Sequence, residues 1–351
     1  MIDLHCHLDG CLSKEDILVL AKEENVFLGT SWETKYHVDQ SCRSLNEYLS
    51  CFSFTAPLLQ NKEALYHVTK RVLQRFAKEG LVYVELRFAP QSHTSDGLSQ
   101  EEATLAVMQG IEESKDIIDC SLILCYMRQS LNNKENLETL RIASKYLHHG
   151  VEAVDLAGAE LLFKTNLFGP LFQKSKEAGI PYTIHAGEAD SYQSILDALE
   201  YHPARIGHGI HCLENQKTIE RLKEEHILLE ICPTSELQTK AAEGQFPIQA
   251  LLDQKLNLSI NTDDPGISST SLANEYRLLN KEYGISEETL YSMLLNSVDY
   301  IFASKEVKSR VRTKIKNQYH DWFTNNVLNE KGLSNHIDMC ERAALFCRIE
   351  L

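Results

Sequence analysis

The chain lacks nearly every short signature by which common catalytic classes are recognised. It has no G-x-S-x-G nucleophile elbow, no H-E-x-x-H pair and no P-loop. The nearest approach to a dinucleotide loop, Gly207-His208-Gly209, fails because Cys212 stands where the last glycine belongs. No apolar run reaches the ~20 residues that a membrane-crossing helix needs. Positive charge is in deficit, 35 basic residues against 50 acidic ones, giving a formal charge of −15. That balance repels phosphate backbones and anionic lipid surfaces, so neither nucleic acid nor membrane is an expected partner. Glycine (16) and proline (8) are too scarce for a fibrous or disordered chain. Ten cysteines are present, but without a C-x-x-C pair or a dense framework they read as free, buried thiols. The first informative residues, His5 and His7, leave no room for a signal peptide, so a soluble cytoplasmic enzyme of 351 residues is expected.

What is present is a regular alternation. Short apolar or β-branched runs recur at residues 2–7, 81–88, 121–127, 151–157, 181–185, 204–208, 227–232 and 256–262. Several are apolar almost throughout (VYVELRF, LILCYM, ILLEIC), as parallel strands covered on both faces should be. Between them lie segments of helical spacing. One opens with the capping box Ser99/Glu102 and runs to about residue 117; others cover 134–148, 167–178, 191–200, 215–225 and 247–254. Eight strand-helix units predict an α/β fold, a (β/α)₈ TIM barrel. The excess length falls after the first strand, where residues 8–80 form a helical lid insertion, and at the end, where 267–351 form C-terminal helices, including one over 286–303. No Pro/Gly/Ser-rich linker interrupts the chain, so residues 1–351 read as one domain.

In such barrels the active site lies at the C-terminal ends of the strands. There the first strand ends in His5-Cys6-His7, the fifth in His185 followed by Glu188, the sixth in His208, and the eighth in Asp263-Asp264. Residues two apart on a strand share a face, so His5 and His7 both point into the barrel and Cys6 toward the helices. Imidazoles with a carboxylate suit Zn²⁺ or a similar divalent ion.

IDLHCHLDG, DLAGAE, TIHAGE, RIGHG, CPTS and SINTDDP, in that order from residue 2 to about 266, resemble the adenosine deaminase family of zinc hydrolases, within the amidohydrolase superfamily. The resemblance implies one zinc per chain held by His5, His7, His185 and Asp263. It implies attack of a metal-bound hydroxide on the purine, with Glu188 protonating the adjacent ring nitrogen and His208 orienting or deprotonating the water. It places Asp264 and the backbone N–H of Gly158 on purine nitrogens, and Asp9 with His7 on the ribose hydroxyls. The implied reaction is deamination of adenosine, and of 2′-deoxyadenosine, to the inosine product and ammonia, with a small purine nucleoside as partner. SLNEYLSCF resembles the stretch that covers the purine, making Tyr48, Leu49 and Phe52 lid candidates; the same residues also fit an ordinary amphipathic helix face.

Alternatives remain at this point. A deaminase of adenine, or of a modified or 5′-extended adenosine, shares the scaffold. Free-adenine enzymes of the superfamily usually carry Glu where Asp9 stands and a different motif from DLAG, which favours a ribosylated substrate. A two-metal hydrolase would need a lysine at the end of the fourth strand, where VEAVDLAG has none. A non-catalytic nucleoside-binding relative would lack a catalytic group, and all matched groups are present. His148, His149 and His211 read as structural, the basic run from Lys305 to Lys316 as a solvated face, and Arg87 as either a brace of the barrel mouth or a partner of a carboxylate.

Overall fold

The computed structural model describes residues 1–38, 42–128 and 134–329. Eight strands form where the apolar runs stand: β1 (Ile2–His7), β2 (Tyr83–Phe88), β3 (Asp119–Met127), β4 (Val151–Ala157), β5 (Thr183–Ala186), β6 (Arg205–His208), β7 (Leu228–Ile231) and β8 (Asn257–Ile260). All pairings are parallel and follow chain order, β1 to β4 in one half and β5 to β8 in the other. Parallel bridges join the halves at Val154/Tyr182 and Cys6/Asp263, the second secured by His7 N–H donating to Asp263 O and Asp263 N–H to His5 O, both at 2.8 Å. The sheet therefore closes, and the fold is a (β/α)₈ barrel.

The lumen departs from the apolar filling common in such barrels. Every second residue faces inward, and on several strands it is charged: Glu85 and Arg87 on β2, Asp155 on β4, Arg205 on β6 and Glu230 on β7, all fully buried. They survive burial only because they pair. Arg87 donates to Asp155 Oδ2 at 2.9 Å and to Glu230 Oε2 at 3.0 Å, and Arg205 donates to Glu85 and to Glu230 Oε1. Arg87 thus proves to be a carboxylate partner deep in the lumen. The intervening strand residues, such as Val84, Leu86, Leu122 and Val154, pack outward into one hydrophobic core that runs from Met1 to Val327.

The helices cover the outside. The insertion holds α1 (Lys14–Glu23), α2 (Leu45–Leu49), α3 (Phe52–Thr55) and α4 (Lys62–Lys78); then follow α5 (Gln100–Glu112), α6 (Lys134–Tyr146), α7 (Gly169–Glu177), α8 (Tyr192–Leu199), α9 (Gln216–Glu224), α10 (Pro233–Gln238) and α11 (Ile248–Asp253). The C-terminal set is α12 (Leu272–Arg277), α13 (Glu287–Ser297) and α14 (Lys305–Phe323). The predicted Ser99/Glu102 capping box forms, but α5 stops five residues early, because residues 113–117 turn tightly through Ser114 before β3. α6 ends before His148, whose φ of +60° breaks the helix. The basic run is a solvated face as expected: Arg310 and Lys314 pair with Asp119, and Arg312 with Asp299. His148 pairs with Glu152 on the surface. The eight described cysteines are free, seven of them buried; Cys340, Cys347 and the predicted helical region beyond residue 329 lie outside the described residues. Among the described residues no helix is long and apolar enough to cross a membrane.

Candidate active site

The strand ends converge as the spacing predicts. His5 and His7 stand on one face of β1 and meet Asp263 from the end of β8: His5 Nε2 lies 3.2 Å and His7 Nε2 3.4 Å from Asp263 Oδ1. His185 on β5 closes the group, its Nε2 being 3.3 Å from His7 Nε2. Room for the rings comes from Gly207 on β6, where a Cβ would lie 3.0 Å from His5 Cε1 and 3.3 Å from the His185 ring. His208 and Asp263 both adopt φ of +61°. Non-glycine residues are held in that region at a cost of roughly 1–3 kcal/mol, a strain concentrated at functional sites.

These four donors fit a divalent cation. Donors about 2.0–2.1 Å from a tetrahedral ion sit about 3.3–3.4 Å from one another, which is the separation observed here. His5 Nε2 is buried with no hydrogen-bond partner, a cost that a ligated ion removes. The opposite nitrogens are held by carboxylates, His5 Nδ1 by Glu230 Oε2 at 2.8 Å and His185 Nδ1 by Asp155 Oδ2 at 3.0 Å. Such partners fix the tautomer that leaves Nε2 free to ligate. Burial drives His7 well below the ordinary imidazole range, keeping it in the neutral, ligating form. A looser grouping within 4.8 Å takes in His208 in place of His7. We favour His7, because both His208 nitrogens already face carboxylates: Nδ1 lies 3.1 Å from Glu236 Oε1 and Nε2 3.7 Å from Glu188 Oε2.

Beside the donors lie two carboxyl groups with buried, unpartnered oxygens, Glu188 Oε1 and Asp264 Oδ1. Burial raises Glu188 to about 7, against the opposing pull of His208, so near neutrality it is shared between an acid and its conjugate base. Burial, then the charges of Asp263 and Asp9, push Asp264 well above the carboxylate range. Asp9 is itself raised to about 6 by burial. For Asp263, burial is outweighed by the close approach and charge of His5 and by His208 and His7, which hold it well below that range. Two adjacent carboxyls are thus driven in opposite directions, the pattern of a site that assigns them different tasks.

These groups border one cavity of about 240 Å³. His7, His185, Glu188, His208, Asp263 and Asp264 form its floor, with Asp9 and Gly158 at the side. His5 lies fully buried beneath. Leu45, Tyr48 and Leu49 of α2, with Phe52 and Ala56, form an apolar wall. The lid candidates therefore do line the cavity, and Tyr48 is held in place by a hydrogen bond between its hydroxyl and Ser268 Oγ at 2.7 Å.

The profile of the adenosine deaminase family matches residues 1–318. The chain belongs to the adenosine deaminase family. An adenosine deaminase of Haemophilus ducreyi is 41% identical over 331 residues, 91% of this chain and 96% of that protein. An adenosine deaminase of Clostridium botulinum is 36% identical over 320 residues, 89% and 96% of the two chains. Among solved structures, an N6-mAMP deaminase of Arabidopsis superposes with a TM-score of 0.80 at 30% identity, covering 90% of this chain and 97% of that one. An adenine deaminase of Arthrobacter aurescens superposes with a TM-score of 0.82 at 26% identity, covering 91% and 98%. The family is one of metal-dependent hydrolases, in keeping with the donor cluster.

The family motifs also contain residues to which the sequence assigned no role. Asp155 and Glu160 flank Gly158 in DLAGAE; Ser235, last residue of CPTS, donates to Asp263 Oδ2 at 2.7 Å, and Glu236 follows it. Arg128 at the end of β3 borders the cavity, donating to Phe163 O, Thr165 Oγ1 and His185 O. The signal for Asp155 and Glu230 was a carboxylate set within a largely apolar strand run. His211, read as structural, holds the carbonyl of Gly187 through Nδ1 at 3.1 Å.

Proposed function

We propose that this chain catalyses the hydrolytic deamination of adenosine, and of 2′-deoxyadenosine, to the inosine product and ammonia, with one zinc ion per chain held by His5, His7, His185 and Asp263. The carrying observation is the pair of buried, unpartnered carboxyl oxygens of Glu188 and Asp264, which face one cavity beside the donor cluster. Such an ion, when bound, lowers the pKa of water and so supplies the nucleophile at neutral pH.

The chain's own groups do the rest. Glu188, with its raised pKa, carries a proton near neutrality and gives it to the purine ring nitrogen beside the attacked carbon, making that carbon electrophilic. His208 is oriented by Glu236 at Nδ1 and turns Nε2 toward the reacting face, where it orients the attacking water and stabilises the developing oxyanion. Asp264 Oδ1 and the backbone N–H of Gly158 hold the purine through its nitrogens. Asp9 and His7 hold the ribose hydroxyls. Leu45, Leu49 and Phe52 cover the base and exclude water. The free thiols suit a reducing compartment, and on that ground we place the enzyme in the cytoplasm.

Relatives act on adenine and on N6-methyl-AMP, so the substrate is the point to test. Among the described residues lining the cavity, Arg128 is the single arginine or lysine, and both terminal nitrogens of its guanidinium are committed to protein acceptors. That leaves only the buried, unpartnered Nε–H of Arg128 for a 5′-phosphate and favours a nucleoside. Ammonia release from adenosine, 2′-deoxyadenosine, adenine, AMP and N6-methyl-AMP, with a metal count on the same sample, decides it. The expected ranking puts the two nucleosides first, with one zinc per chain. A higher kcat/KM on adenine or on either nucleotide overturns the substrate; two ions per chain overturns the mononuclear reading.

A further inference from the structure

The loop that follows β5 carries Glu188. Four consecutive backbone N–H groups of this loop, at Gly187, Glu188, Ala189 and Asp190, all point at one carboxylate, that of Glu160. Gly187 N–H reaches Oε1 at 2.6 Å, while Glu188, Ala189 and Asp190 N–H reach Oε2 at 3.1, 2.8 and 2.9 Å. Ser194 Oγ of α8 donates to Oε1 as a fifth contact. Glu160 is 1% exposed, so water offers these donors no substitute.

The far side of the same loop is held through its carbonyl, Gly187 O accepting from His211 Nδ1 at 3.1 Å. Ser194 Oγ in turn meets Thr165 Oγ1 at 2.8 Å, and Thr165 Oγ1 accepts from Arg128, which also holds His185 O. The loop is therefore clamped between a carboxylate and an imidazole, with Arg128 tying the clamp to the strand that bears His185. Glu160 stands two residues after Gly158, so one short segment contributes both a purine-facing N–H and the clamp.

We infer that Glu160 is a positioning residue that sets the aim of Glu188 by gathering the backbone of its loop. The chemistry requires an ionised carboxylate: it accepts only, with about four lone-pair sites, whereas a glutamine amide would turn N–H groups against the loop's own donors. The inference rests on the reading of Glu188 as the acid that protonates the purine, and it goes beyond that reading by naming what holds the acid in place.

The test is a double-mutant cycle of Glu160→Gln and Glu188→Gln, assayed with adenosine, with zinc content measured for every variant. Glu160→Gln should keep its zinc, lower kcat about 100-fold, the order of loss for a misplacement near 1 Å, and change KM little. On the Glu188→Gln background, where residual turnover is followed at high enzyme concentration, the same substitution should cost nothing further. An adenosine analogue with carbon in place of the protonated ring nitrogen should bind both forms equally. Parental kcat in Glu160→Gln, an equal loss on both backgrounds, or loss of zinc overturns the inference. Parental kcat in Glu188→Gln alone instead overturns the acid assignment, whatever Glu160 does. Where Glu160→Gln fails to fold, Ser194→Ala removes one of the five donors. It should lower kcat several-fold on the parental background and not at all on Glu188→Gln; any other pattern overturns the inference.

Discussion

A methyl group at position 10 should disable the enzyme without touching a reacting group. Gly10 follows the β1 motif, and a Cβ built there would lie 1.8 Å from Asp264 Oδ1, 2.5 Å from its Cγ and 2.7 Å from its Cβ. Ordinary contact begins near 3.4 Å, so the carboxyl must retreat by about 1.6 Å. Rotation of the side chain alone does not relieve the clash, because the Asp264 Cβ is itself too close. Backing away of the whole segment is opposed by Gly266 N–H donating to Gly10 O and Ser268 N–H to Asp264 O, both at 2.8 Å. Overpacking of this kind costs roughly 1–3 kcal/mol in stability, which a barrel of this size tolerates. Displacement of a substrate-holding group by more than 1 Å costs about 100-fold in rate. Gly10→Ala should therefore lower kcat/KM for adenosine at least about 100-fold, measured by the ultraviolet change on conversion to inosine, with zinc content retained. In an Asp264→Gly background, which removes all three of these contacts, the added methyl should cost little more. A parental kcat/KM in Gly10→Ala, or an equal loss on both backgrounds, would refute the argument that Gly10 serves to seat Asp264.

Glu188 gives two linked expectations. Its proton is lost as pH rises through about 7, so turnover that depends on it should decline on the alkaline side of that value; a rate flat from about pH 6 to about pH 9 would contradict the acid role. The sign for stability follows from the same shift: with the folded value raised from 4.5 to about 7, the folded state binds the extra proton, and stability falls as pH climbs between those limits. Glu188→Gln escapes this loss, so its stability should exceed the parent's at pH 8 by on the order of 3 kcal/mol, seen as a higher melting temperature, with the gain vanishing toward pH 4.5. Glu230→Ala removes the partner of His5 Nδ1 and leaves Arg87 and Arg205 each short of one buried acceptor. Zinc affinity, measured by chelator competition, should drop about 10–100-fold, and stability by about 3–5 kcal/mol; unchanged zinc affinity would sink the assignment of Glu230 as the orienter of His5.

Much of this arrangement was written locally in the chain, and the rest was not, for physical reasons. The strands were legible because both faces of a parallel strand are buried, leaving runs such as ILLEIC that end where polar residues begin. The histidines were legible because barrel chemistry gathers at strand ends, and His5-Cys6-His7 carries its own face assignment. Helix ends were less so: α5 stops at Glu112 because Ser114 turns the chain, a local hydrogen-bonding choice that hydrophobic spacing does not encode. The lumen charges were illegible for a different reason. Glu85, Asp155, Arg205 and Glu230 stand within the strand runs with no ion-pair partner close by in sequence. The ion-pair partners within this lumen network stand 25 to 143 residues away, and only closure of the sheet reveals that each charge has one. Glu160 escaped in the same way, since its five donors lie on a loop and helix 27 to 34 residues downstream.

The lumen charges also bear on why the cation belongs here. Beneath and among the donors stand the carboxylates of Glu85, Asp155, Glu230 and Asp263, and against them the guanidiniums of Arg87 and Arg205, with His208 raised to about 10 against its burial by Glu188, Glu236 and Asp263. Asp155, Glu230 and Asp263 are all held ionised: burial alone would raise them, but Arg87, Arg205 and the histidines outweigh it. Four carboxylates therefore stand beside two guanidiniums in a buried space, where charge is tolerated only when it is paired. The divalent cation proposed at the three imidazoles and Asp263 would add positive charge where Nε2 of His5 also has no hydrogen-bond partner. The same network would orient the ligating nitrogens and favour a cation beside them, so the barrel interior supports the proposed metal site as well as the donors do.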